Sequence, residues 1–276
     1  MPNTYSLKEL DPNVKWRKYY QKQNSLTFNN VIPFSNVAKV SRGIATGANE
    51  YFVFSKSKAD KYKIDKKYLL SCICKSTDVE SNFFTINDYE KLIEKDRPAF
   101  LFNGCGVEKD EVKRYIKYGE EQGVNKKYLT SCRNPWYSLE NRIPAPIWVS
   151  VFNRNGLKFV RNEASISNLT TFHCVYPIQS NLLQMSDIDL LFAYLLTDTA
   201  KQIFEDNRRE YGNGLRKFEP NDLNGAMMLD LTILPDKIKD EILGYHRIYR
   251  KTVLSSNTDK SLLDKIDSIL KKYYQR

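Results

Sequence analysis

A chain of 276 residues is long enough for one large domain or two small ones with a real core. Its 41% hydrophobic and 28% charged residues are ordinary for a soluble globular protein, and no apolar run approaches the roughly 20 residues that span a bilayer. Lys and Arg number 43 against 33 Asp and Glu, a net charge of +10, an excess that attracts polyanions and favours nucleic acid or an anionic surface as partner.

The first ten residues lack the apolar core of a secretory signal, so the expectation is a cytoplasmic chain with no membrane partner. Residues 8–21 read as a short helix opened by Asp11 and Pro12, and residues 23–30 as a polar linker. From Val31 short apolar runs alternate with turn residues, which predicts strands over 37–40, 51–54, 68–74, 99–102, 147–152 and 171–176. Two helical patterns interrupt them, 87–95 behind Thr85 and 108–122. After Pro177 the period changes. Residues 187–207 read as one helix, followed by a glycine turn at Tyr211-Gly212-Asn213-Gly214. Residues 237–249 and 261–274 read as two amphipathic helices, with Leu262, Leu263, Ile266, Ile269 and Leu270 forming one apolar stripe. The expected fold class is α+β: a strand-rich core over 31–180, flanked by an N-terminal helix and linker over 1–30 and a helical part over 181–276 that packs on it.

Metal and disulfide chemistry are not expected. Cys72, Cys74, Cys105, Cys132 and Cys174 are odd in number and scattered, and Cys72-Ile73-Cys74 lacks the two-to-four-residue spacing of a zinc knuckle. Buried thiols are the simpler reading. His173 stands in a strand-like run with no Cys or carboxylate at ligand spacing, and no role is assigned to it.

Two motifs resemble methyl-transfer machinery. Phe102-Asn103-Gly104-Cys105-Gly106 fits the glycine turn that lets a backbone approach S-adenosylmethionine, and Asn134-Pro135-Trp136-Tyr137 resembles the Asn-Pro-Pro-Tyr that holds a flipped adenine. Their spacing argues against both. Only residues 107–133 separate them, room for one helix and one strand, whereas a single βαβ unit takes about 30 residues and the two motifs belong on different strands of one parallel sheet. Trp136 also replaces the second proline, which supplies rigidity.

Five segments, in order, resemble the C-terminal half of adenine-specific DNA methyltransferases of the TaqI-like class found in bacterial restriction–modification systems. They are Ser41-Arg42-Gly43-Ile44-Ala45-Thr46-Gly47-Ala48-Asn49-Glu50-Tyr51-Phe52, Tyr115-Ile116-Lys117-Tyr118-Gly119-Glu120, Arg133-Asn134-Pro135-Trp136-Tyr137-Ser138-Leu139-Glu140, Asn168-Leu169-Thr170-Thr171-Phe172-His173, and Tyr211-Gly212-Asn213-Gly214-Leu215-Arg216-Lys217-Phe218-Glu219-Pro220. The resemblance covers most of residues 7–231. It implies a target-recognition domain that selects duplex DNA for adenine-N6 methylation. The Rossmann-like catalytic domain, which binds S-adenosylmethionine, would be absent from this chain and supplied in cis or as a separate subunit. No cofactor is then expected in the chain itself, and residues 133–140 belong to recognition rather than catalysis.

A DNA reader needs cations and backbone N–H groups for phosphates, and paired donors and acceptors for base edges. For phosphates the candidates are Lys113, Arg114 and Lys117 on one helix and Arg216 and Lys217 beside the Gly212 and Gly214 turn; a solvated charged face is the competing reading of the helix set. For base edges they are Arg42, Arg133, Arg154, Asn155 and Arg161. Arg133 with Trp136 reads equally well as a stacked pair shaping a turn. Gly43 and Gly47 are expected to serve unusual backbone angles, and residues 168–173 either read bases or cap turns. Two other functions stay open at this stage: a methyltransferase with a degenerate cofactor loop at 102–106, and a protein-interaction subunit that docks through its last helices.

Overall fold

The computed structural model describes residues 6, 9–11, 24–106, 109–153, 157–178, 185–207, 209–210 and 216–275. The fold is α+β, as the alternation of short apolar runs and later helical periods implies, and a five-stranded sheet is its centre. The strands lie in the order Ala38–Arg42, Phe172–Pro177, Ile147–Ser150, Phe159–Asn162, Phe83–Phe84. All neighbours are antiparallel except the last pair.

This sheet is buried on both faces, and the two-residue period of a strand sorts its side chains between two cores. Phe83, Ile147, Val149, Phe159 and Val175 face the C-terminal helices. Phe84, Trp148, Val160, Phe172 and Cys174 face a second lobe built from residues 48–137. Each such large side chain, fully buried, stabilises by about 1.5–3 kcal/mol. The sheet is therefore a stiff platform, and whatever its strand ends carry is held in place.

On the first face lie Met185–Leu195, Asp198–Glu205, Asp236–Leu254 and Ser261–Tyr274. The expected single helix over 187–207 is two helices. Thr197 explains the break: its hydroxyl accepts from Ala200 N at 3.2 Å, capping a new helix instead of continuing the old one. The N-terminal strand Val31–Pro33 pairs antiparallel with Met227–Leu229, so the core shared by sheet and helices is stitched from both ends of the described chain.

On the second face a four-stranded sheet runs in the order Ser167–Asn168, Leu69–Ile73, Phe100–Phe102, Val53–Phe54. The helices Ile86–Glu94 and Asp110–Glu121 flank it where the sequence predicts them. Thr85 closes a capping box with Asp88 at the start of the first. The expected strand over 51–54 is half helix: Asn49–Phe52 forms one helical turn and only Val53–Phe54 is strand. Thr46 Oγ1 accepts from Ala48 N at its entry, and Lys58 Nζ donates to the carbonyls of Glu50, Tyr51 and Val53 at its exit, so the turn's backbone groups are satisfied without a long helix.

The expected helix over 8–21 falls outside the described residues but for Glu9, Leu10 and Asp11. Among the described residues no helix is long and apolar enough to cross a membrane. Cys72, Cys74 and Cys174 are buried thiols as expected, but Cys105 and Cys132 are exposed. No group of three His, Cys, Asp or Glu side chains converges as a metal site among the described residues.

Candidate nucleic-acid interface

Ala38–Arg42 is the edge strand of the buried sheet, and an open edge is a liability unless its backbone is occupied. Asn224 occupies it: its Oδ1 accepts from Val40 N at 2.8 Å and its Nδ2 donates to Val40 O at 3.0 Å. At the strand's end, Arg142 Nη1 donates to Arg42 O and, at 3.4 Å, to Ser41 Oγ. The strand end that carries Arg42 is thus fixed from two sides, while the Arg42 side chain itself stays 67% exposed.

Across from it lies the 216–219 segment. Arg216 and Lys217 pair antiparallel with Asn153 and Phe152. Lys217 Nζ reaches Glu219 Oε1 at 2.5 Å, and Arg42 Nη2 reaches Glu219 Oε2 at 3.4 Å. The bonded Lys217 ammonium, with the Arg42 charge in support, holds the Glu219 carboxyl below the usual carboxylate range. Beneath them His173, opposite Arg42 in the ladder, is buried and donates from Nε2 to Phe218 O at 2.8 Å. A carbonyl only accepts, so Nε2 carries the proton; burial keeps the ring neutral by pushing its pKa down. A groove of about 650 Å³ opens alongside, lined by Lys39, Ser41, Arg142, Ile143 and Tyr176 among others.

The structure therefore brings Arg42 and Lys217 together at one carboxylate. Lys113, Arg114 and Lys117 form a separate group, on the outer face of a helix whose Val112, Tyr115, Ile116 and Gly119 are buried. Lys113 and Arg114 pair with Asp110 at 3.3 Å and Glu111 at 3.0 Å, one turn away on the same helix. Arg154, Asn155, Gly212 and Gly214 lie outside the described residues, and of Arg216 only the backbone is described.

Two expected base-edge residues have other work. Arg161 is only 5% exposed; its Nε donates to Asp189 Oδ1 at 3.0 Å and its Nη1 to Pro146 O at 2.9 Å. It ties a central strand to the Met185–Leu195 helix and offers no open edge to a base. Arg133 donates to the carbonyls of Ala45 and Thr46, clamping the glycine-bearing loop, and its guanidinium lies over Phe52, 5.8 Å from the ring centre, rather than over Trp136. Trp136 packs on Tyr51 and donates from Nε1 to Glu120 at 3.1 Å.

The two glycines of that loop differ in their reasons. Gly47 has φ +76°, as expected of a position that needs glycine. Gly43 does not have a positive φ; a Cβ there would run into Leu169 O and lie 2.5 Å from Asn168 Nδ2, so close approach is its constraint. In the same segment Asn168 donates to Leu169 O at 3.0 Å and Phe172 O at 2.9 Å and is buried, so its amide holds a turn. Sequence reasoning missed Arg142, Glu219 and Asn224. Nothing in their spacing marks their reach to the edge strand, since Ser41 and Arg42 for Arg142, Arg42 for Glu219 and Val40 for Asn224 lie about 100 or more residues away.

The 102–106 turn does not fit a cofactor loop. Phe100–Phe102 is antiparallel to both its neighbours, whereas the cofactor loop belongs at the end of a parallel strand. A Cβ on Gly104 would lie 2.8 Å from the Tyr137 ring, so an aromatic side chain already fills the approach to the backbone. No succession of parallel strands joined by helices occurs among the described residues.

Comparison with known proteins agrees with this architecture. The C-terminal domain model of the type II methyltransferase M.Eco57I matches residues 14–270. The type II methyltransferase M.AccI of Acinetobacter calcoaceticus is 55% identical over 271 residues, which are 98% of this chain and 50% of that protein. M.XamI of Xanthomonas campestris pv. amaranthicola, also a type II methyltransferase, is 23% identical over 193 residues, 70% of this chain and 35% of the relative. The chain thus spans half or less of the length of these relatives. The crystal structure of the type IIG restriction endonuclease BpuSI has a similar fold, with TM-score 0.50, 14% identity, and coverage of 89% of this chain and 32% of that one. The chain belongs to the family of the C-terminal domain of the type II methyltransferase M.Eco57I.

Proposed function

We propose that this chain is the DNA-reading part of a type II, adenine-N6-specific methyltransferase of a restriction–modification system. Its partners are duplex DNA and a catalytic domain, joined in cis or as a separate subunit, which binds S-adenosylmethionine. The observation that carries the reading is the pair of cations, Arg42 and Lys217, converging at the end of a sheet buried on both faces. A rigid element that presents cations at a fixed spacing is what phosphate register requires. Arg142 and Lys39 extend the same surface along the adjoining groove. Lys113, Arg114, Lys117 and Arg216 are further phosphate candidates, and Arg154 and Asn155 remain the candidates for base edges.

Binding of the chain to a generic duplex, followed by fluorescence anisotropy across a salt series, tests this. Each neutralised phosphate contributes about −0.9 to the slope of log K against log salt. A slope of about −3 or steeper is expected; a flat line would remove the electrostatic reading.

A further inference from the structure

Glu219 lies where cations from distant parts of the chain meet, with Lys217 on Oε1 and Arg42 on Oε2. Its place is set by its own backbone: Glu219 N donates to Asp222 Oδ2 at 3.0 Å, and Phe218 O accepts from the buried His173. Its side chain is 18% exposed, against 67% for Arg42. The carboxylate is the more buried partner and the arginine the more exposed one. A carboxylate with one cation on each oxygen offers Arg42 and Lys217 the same chemistry as a phosphate diester, two anionic oxygens.

We propose that Glu219 is an affinity-limiting residue: a built-in anion that competes with DNA phosphate for Arg42 and Lys217. The inference rests on the DNA-reading function above. A random duplex supplies phosphates alone, and phosphate contact is the sequence-independent part of binding. To engage Arg42 it must replace a carboxylate already in position, so its hold is weakened. A target sequence adds base contacts and overcomes the same competition. The built-in anion lowers affinity for all DNA about equally and leaves discrimination to the base-reading side chains.

The test uses the 276-residue chain, a random-sequence duplex and an anisotropy titration over salt. Glu219→Gln keeps the side chain's shape and removes its charge. It is expected to bind the random duplex three- to tenfold more tightly at low salt, with a slope steeper by about one contact, roughly 0.9. Arg42→Gln is expected to weaken random-duplex binding in the parent protein, and to weaken it at least threefold more beside Glu219→Gln, where no carboxylate competes for the guanidinium. If the Glu219→Gln protein does not fold, Glu219→Ser, which suits the N-cap of the Pro220–Asn224 helix and also removes the charge, takes its place: binding no tighter than the parent's overturns the proposal. So does a Glu219→Gln protein that binds no more tightly while the parent keeps its steep salt slope, an outcome that leaves the DNA-reading function standing. Salt-independent binding by the parent would instead overturn that function, and this inference with it.

Discussion

Tyr51 and Tyr115 stack with ring centres 4.6 Å apart, and each hydroxyl donates to the other's main-chain carbonyl, at 3.1 and 2.7 Å. Both rings are buried, and that burial raises both phenol pKa values, so the hydroxyls stay protonated donors. The pair locks the Asn49–Phe52 turn, at the end of the glycine-bearing loop, to the helix that carries Lys113, Arg114 and Lys117. Tyr51→Phe removes one of the two bonds while leaving the stack, and is expected to cost about 1 kcal/mol. Tyr115→Phe should cost about the same. Urea unfolding of both single variants and the double measures this, and simple additivity of the two losses would deny the mutual lock.

The two loop glycines should respond differently to alanine. At Gly47 the new Cβ meets Leu129 Cβ at 2.7 Å on a backbone with φ +76°, a combination expected to cost about 1–3 kcal/mol. At Gly43 the obstacles are the Leu169 main chain and the buried Asn168 amide, which lie nearer still, and the amide is held by hydrogen bonds to Leu169 O and Phe172 O. Gly43→Ala should therefore lower the midpoint of thermal unfolding more than Gly47→Ala does. The reverse order would mean that φ, not close approach, governs this loop.

Acid should destabilise the fold before its carboxylates titrate. His246 is buried between Phe83 and Phe192, and burial lowers its pKa to about 4. Asp189 and Glu163 pull it up, and Arg161 and Arg250 push it down, without reversing that result. The folded pKa is below the unfolded one, so between about 4 and 6.5 the unfolded chain binds the extra proton. Stability is then full above pH 6.5 and falls as pH drops through that window, by about 2 kcal/mol at pH 5. His173 acts in the same direction. His246→Phe should flatten the slope between pH 7 and 5, read from urea midpoints. An unchanged slope would show that His246 is protonated in the native protein.

If the outer face of the Asp110–Glu121 helix lies on DNA, Lys113→Gln, Arg114→Gln and Lys117→Gln together should reduce the salt slope by about 2 to 3 units, because each phosphate contact contributes about 0.9. Their ion pairs with Asp110 and Glu111 are exposed and worth little, so the triple variant should keep the parent's melting temperature. An unaltered slope would leave these residues as a solvated face.

Calorimetry with S-adenosylmethionine should give no binding heat for the chain alone, because Tyr137 covers Gly104 in the turn that imitates a cofactor loop. Saturable heat would reinstate the self-contained enzyme.

Much of the architecture was legible because it is written in local periods. Thr85 and Asp88 announce the Ile86–Glu94 helix, and the apolar stripe through Leu262, Ile266 and Leu270 announces the last one. Where local and distant forces disagreed the reading slipped. Residues 51–54 look like a strand, but Thr46 and Lys58 satisfy a helical turn there; residues 187–207 look like one helix, but the Thr197 hydroxyl starts a second. The basic site was legible only as a list of cations. Which of them point outward depended on partners far along the chain: Asp189 for Arg161, Ala45 and Thr46 for Arg133.

The sequence by itself determined the α+β class and the net positive charge, since these follow from composition and from local hydrophobic periods. Tertiary structure alone decided that Arg42 and Lys217 share Glu219, that Asn224 seals the sheet edge, and that Gly43 is glycine for want of space. The reason is geometric. Hydrophobic period fixes which face of a strand is buried, but not which segments 100 or more residues apart the buried sheet will bring within hydrogen-bonding distance.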